Sequence, residues 1–102
     1  MKLLTKELTA KLTKAGYDNM NPICKLFTPW GKATWLVTGI ENNILYGWAQ
    51  LFPDVRPEWG GIATIEEMEA IRGPFQMKIE RDLYWTAKEG VNYSRMDSLV
   101  GA

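Results

Sequence analysis

Leu4, Leu8, Leu12 and Ala15 recur at helical spacing and make one narrow apolar stripe. Thr5 stands where an N-cap is wanted. Glu7 lies in the first turn, and Lys11 and Lys14 follow in the order that suits a helix dipole. Together they predict a helix over about Lys6 to Ala15, with Gly16 as its stop. A stripe this narrow suits a helix lying on a sheet. After the turn residues Asp18, Asn19, Asn21 and Pro22 the period changes to two. Ile23 to Phe27 reads as a short strand, Thr28-Pro29-Trp30-Gly31 as a turn, and Ala33 to Ile40 as the clearest strand. Alternation puts Trp35 and Val37 on one side, with Leu36, Thr38 and Ile40 on the other. Asn42 and Asn43 tolerate positive φ and predict a hairpin turn. The next strand runs from Ile44 to Phe52. Ile44, Tyr46, Trp48 and Phe52 share one face; Leu45, Gly47, Ala49 and Leu51 share the other. Gly47 and Ala49 are small enough to admit a helix against that second face.

Pro53 to Trp59 holds two prolines and three charges and reads as a loop, and Gly60 to Ala63 as a returning strand. Thr64-Ile65-Glu66-Glu67 has the form of a capping box. It predicts a second helix from about Ile65 to Arg72, with Ile65, Met68 and Ile71 buried and Gly73-Pro74 ending it. Phe75 to Trp85 is extended, with one or two short strands. Thr86 to Ala102 has no clear period, and its end is expected to fray. The order of elements predicts an α+β domain over residues 1–85, with a partly ordered C-terminal extension over 86–102. Its small, mainly antiparallel sheet would have about four to five strands, with two short helices packed on one face.

Composition narrows the chemistry more than the fold. The 102 residues balance 12 basic against 12 acidic side chains. Phosphate contacts come from Lys and Arg, so a neutral chain fits a protein partner better than DNA. Histidine is absent and Cys24 stands alone. Ser-His-Asp and Cys-His catalysis, His metal ligation and a Cys-only zinc site are therefore excluded. Cys24 sits beside apolar residues and reads as a small hydrophobe. No stretch reaches the roughly 20 apolar residues of a membrane span, and a cytoplasmic protein without membrane contact or cofactor is expected.

Several stretches, in order, carry a resemblance. They are Leu3-Leu4-Thr5-Lys6-Glu7-Leu8, Phe27-Thr28-Pro29-Trp30-Gly31 with Thr34-Trp35, and Tyr46-Gly47. They continue with Glu66-Glu67-Met68-Glu69-Ala70-Ile71-Arg72-Gly73-Pro74 and Ile79-Glu80-Arg81-Asp82-Leu83. From Leu3 to about Trp85 the chain resembles the bacterial domain-of-unknown-function family 2958. Trp48-Ala49-Gln50 stands where that family often has a Cys-Asp pair, so no role of that Asp carries over. Pro57-Glu58-Trp59-Gly60 replaces its usual Pro-Glu-Leu-Gly. The resemblance implies a setting on plasmids, phages and other mobile elements, and it implies no established reaction.

Candidate site residues lie in the loops and at the end of the signature. Glu80 and Asp82 would share one face of a strand, and two such carboxylates can hold Mg²⁺. The plainer reading has them solvated or paired with Arg72, Lys78 or backbone donors. Trp30 and Trp59, each beside a Gly, read as interface anchors or as rings closing the core edge; Arg56 lies in the Pro-bounded loop. Lys2, Lys6, Lys11 and Lys14 could face phosphates but read as a solvated helix face. The set Trp30, Arg56, Trp59, Glu80, Arg81 and Asp82 is expected to bind a partner. The expected role is that of a non-enzymatic accessory protein of a mobile element. It would bind a host or phage protein complex as an anti-defence inhibitor of anti-CRISPR or anti-restriction type. The alternatives are a small nucleic-acid-binding module and a divalent-metal-dependent enzyme centred on Glu80 and Asp82.

Overall fold

The computed structural model describes residues 2–88, 90–96, 98–100 and 102. Helix α1 spans Lys6–Ala15; the Thr5 side chain accepts the Leu8 N–H, and Gly16 leaves the helix at φ 76°. Strands β1 (Cys24–Phe27), β2 (Thr34–Glu41), β3 (Ile44–Gln50) and β4 (Glu58–Thr64) follow. Helix α2 is Ile65–Ala70, and β5 is Glu80–Arg81. A tight turn with Phe75 and Gln76 at positive φ lies at Pro74–Gln76, and a short 3₁₀ turn at Tyr93–Arg95. The five strands form one antiparallel sheet in the order β4-β3-β2-β1-β5. Asn42 and Asn43, at φ 51° and 65°, make the tight turn between β2 and β3. The capping box at Thr64 and Glu67 is formed in both directions. An α+β fold with both helices on one sheet face follows from these elements, as the residue pattern predicts.

The core has two sides. Leu4 from the N-terminal segment, Leu12 from α1 and Met68 from α2 pack with Leu26, Val37 and Leu45 on the helical face. On the opposite face Leu36 is covered by Tyr93 and Leu99, with Trp48 and Trp85 at the margin. The described part of 86–102 thus lies on the sheet. Lys25 Nζ donates to the Val100 carbonyl (2.9 Å), and Trp85 Nε1 donates to that of Ala102 (2.7 Å).

Several details differ from what the residue pattern predicts. β2 carries an extra residue at Thr38, between the pairs Val37–Gly47 and Gly39–Tyr46. The bulge moves Ile40 onto the helical face with Trp35 and Val37, away from Leu36. β3 ends at Gln50, so Leu51 and Phe52 leave the sheet and are exposed. β4 begins at Glu58, so Trp59 belongs to a strand and the loop is shorter than expected. α2 stops at Ala70, and Ile71 is extended and exposed. Gly73 is not the helix stop: its φ of −99° is ordinary, and its missing Cβ makes room for the Trp30 ring. The closest approach of a helix end to the sheet falls at Gly39, where a Cβ would collide with the Gly16 carbonyl. Gly47 and Ala49 instead line an open cleft.

Candidate functional site

The six residues expected to bind a partner do not form one site. Arg56 and Trp59 lie at the β4 edge, while Glu80, Arg81 and Asp82 lie at the β5 edge. Four strand spacings separate those edges, about 19 Å at roughly 4.8 Å each. At the β5 edge, Arg81 Nε donates to the Leu3 carbonyl (3.0 Å), and the Leu3 N–H donates to Glu69 Oε2 (3.2 Å). Arg81 and Glu69 thereby pin the N-terminal segment. The strand ends at Arg81, and Asp82 begins a turn. Its N–H donates to the Lys25 carbonyl (2.9 Å), and its Oδ1 accepts the Tyr84 N–H (3.1 Å). Glu80 is exposed. Among the described residues no three of Asp, Glu, Cys and His are placed to share a metal ion.

Trp30 is half-buried, its ring against Gly73. Cys24 is buried, and burial pushes its thiol pKa up to about 12 against a smaller lowering by the Arg81 charge. A thiol held protonated in this way is a poor nucleophile. The groove between the starts of α1 and α2, about 660 Å³, mixes Lys2, Lys6 and Arg81 with Glu66 and Glu69 and favours neither sign of ligand.

The β4 edge is different. Leu51, Phe52 and Val55 are 54%, 61% and 51% exposed, three large apolar side chains on one short loop. The loop is braced from inside. The Val55 N–H donates to the Phe52 carbonyl (3.2 Å), and Gln50 Nε2 donates to the Val55 carbonyl (2.9 Å). Gln50 is only 1% exposed, and its Oε1 accepts the Leu99 N–H (2.8 Å). One buried amide therefore ties the loop to the C-terminal segment. With Trp59 and Ile62, the loop lines a cleft of about 460 Å³ that runs down to Gly47 and Ala49.

Trp59 reaches this cleft only through its place on β4, since the pairing with Trp48 turns its side chain to the opposite sheet face. Its ring stacks on Tyr46 at 6.0 Å and 28°, and its Nε1 donates to Thr38 Oγ1 (3.2 Å). Tyr46 in turn meets Tyr17 at 6.0 Å. The Thr38 bulge gives that hydroxyl its position, and Asn19 Nδ2 caps the Thr38 carbonyl (2.8 Å). Leu51, Phe52 and Val55 are the residues sequence reasoning missed. Val55, apolar inside a Pro-bounded charged loop, was the available signal.

No described helix is long and apolar enough to cross a membrane. A family model of proteins of unknown function matches residues 2–98, reaching past Trp85 into the C-terminal segment. No curated protein and no solved structure matches the chain.

Proposed function

The chain belongs to DUF2958, a family of proteins of unknown function, and from that premise we propose that it is a non-enzymatic binding protein that docks on another protein through the cleft beside β4. The observation that carries this reading is the braced loop with Leu51, Phe52 and Val55 all more than half exposed. Contiguous exposed apolar side chains cost solubility, and they mark interaction surfaces when rimmed by polar groups. The rim here is Arg56 and Glu58. Phe52, the most exposed of the three, is the aromatic group of this surface.

The partner in this reading is a protein complex of a bacterial host, in the cytoplasm, and the chain blunts a defence activity there. The balanced charge suits a protein partner, and an inhibitor suits the mobile-element setting that the resemblance implies. The test is capture from bacterial lysate with the full chain and with Phe52→Asp, joined to transformation and plaque assays against restriction and CRISPR systems. The expected result is an identified defence protein that the wild type retains and inhibits and that Phe52→Asp releases. Equal capture by both, or no effect on any system, overturns the reading. Retention on single-stranded DNA that survives Phe52→Asp and fades with salt would favour the nucleic-acid module instead.

A further inference from the structure

β4 ends the sheet, with only its β3 side paired. Among the described residues, no backbone hydrogen bond from any other segment reaches residues 58–63. An open edge is usually guarded by Lys, Pro or a covering element. From Trp59 to Thr64 this strand has neither charge nor proline. The bulge at Ile62 leaves Glu58 to Gly61 in unbroken register with β3.

The glycines point the same way. At Gly39, Gly47 and Gly73 an added Cβ would collide with Gly16, Leu36 and Trp30 respectively, so the fold itself requires them. Gly60 is unlike these: a Cβ there would meet nothing within 4 Å, and its φ is not positive. At Gly61 the nearest atom would be on the Tyr46 ring at 3.5 Å, an ordinary contact. Glycine weakens a strand, and it marks either a bulge, such as that at neighbouring Ile62, or a place that another backbone approaches closely. The cleft with Leu51, Phe52, Val55 and Ile62 opens beside this stretch.

We infer that β4 receives an extended segment of the partner protein as a sixth strand, whose apolar side chains at alternate positions enter the cleft. This rests on the binding reading above and gives it a geometry. Unpaired strand donors and acceptors are satisfied by extended backbone, and neighbouring pockets select alternate side chains. A second copy fits less well: an antiparallel β4–β4 pair centred on Gly61 would set Gly61 against itself and offer the cleft beside Gly60 one large apolar side chain, Ile62.

The probe is a displayed library of random peptides of roughly 12 residues, enough to overlap a strand of this length, panned against the folded full chain. Enriched peptides should carry apolar residues at i and i+2. A synthetic enriched peptide should slow amide exchange at residues 59–61. N-methylation at alternate residues should weaken it about tenfold or more in one register and little in the other. Gly60→Leu, which fills open space, should keep its melting temperature and lose the peptide. No enrichment overturns the inference, as does indifference to both methylation registers. A dimer with the same amides slowed overturns it in favour of self-pairing. Binding that falls with Phe52→Asp but ignores N-methylation and Gly60→Leu removes the added strand and leaves the cleft reading intact. Binding indifferent to Phe52→Asp removes both.

Discussion

Phe75 holds φ 57° and ψ 29°, and its ring is fully exposed. A left-handed L-residue costs roughly 1–2 kcal/mol, and Asn carries less of that cost than most. The ring makes no contact that offsets it. Phe75→Asn should therefore raise stability by about 0.5–1 kcal/mol, read by urea denaturation; a loss would mean that the ring packs in solution. Cys24 gives a pH prediction. The unfolded thiol ionises near 9.0, whereas the folded thiol waits until about 12. The folded state thus binds more protons between those values, and stability falls as pH rises from 9 toward 12. Cys24→Ser should flatten that slope. Residues of the candidate site were legible only where a local rule applied. Pro53 and Pro57 flagged the loop that carries Arg56. Leu51 and Phe52 were hidden because period-two alternation runs on through them, and only the structure shows β3 ending at Gln50.

At the scale of elements, the two contrasting glycines make a direct comparison. Gly39→Ala sets a methyl against the Gly16 carbonyl, where α1 ends on β2. It should cost about 2–3 kcal/mol, since both partners are backbone and cannot turn aside. Gly60→Ala enters open space and should be neutral or stabilising by about 0.5 kcal/mol. Thermal melts of the pair check both, and equal losses would sink the argument that β4 does not require its glycine. The elements that read correctly from sequence each had a local signal: Thr5 and Gly16 at the ends of α1, Asn42-Asn43 in the hairpin, Thr64 and Glu67 at α2. The bulges had none. An extra residue in β2 follows from how β3 and the chain around Asn19 meet it, a tertiary fact that moved Ile40 to the other face. The end of α2 misled for the same reason. Gly73 looked like a stop signal, yet it serves Trp30, more than forty positions earlier in the chain.

At the scale of the molecule, the sheet is covered by helices on one face and by the C-terminal segment on the other. The C-terminal segment and the exposed loop meet at Gln50. This residue lies on β3, its Nε2 shapes the exposed loop through Val55, and its Oε1 holds the Leu99 N–H. Leu99 is fully buried against a cluster that contains Leu36. Leu99→Ala should therefore cost about 2–5 kcal/mol, as a core deletion does, rather than the few tenths expected of a loose tail. Deleting residues 86–102 should cost at least as much and expose Leu36. Gln50→Ala leaves the Leu99 N–H and the Val55 carbonyl without that partner, at about 1–3 kcal/mol. Because one amide serves both, the two single changes should not add: in a double-mutant cycle the pair should couple by more than about 0.5 kcal/mol. The same coupling should reach the cleft. Amide exchange in residues 51–55 should quicken in Leu99→Ala although no atom of the loop has been changed. If that loop is indifferent to Leu99, the C-terminal segment merely covers the sheet, and the site owes its shape to β3 and β4 alone.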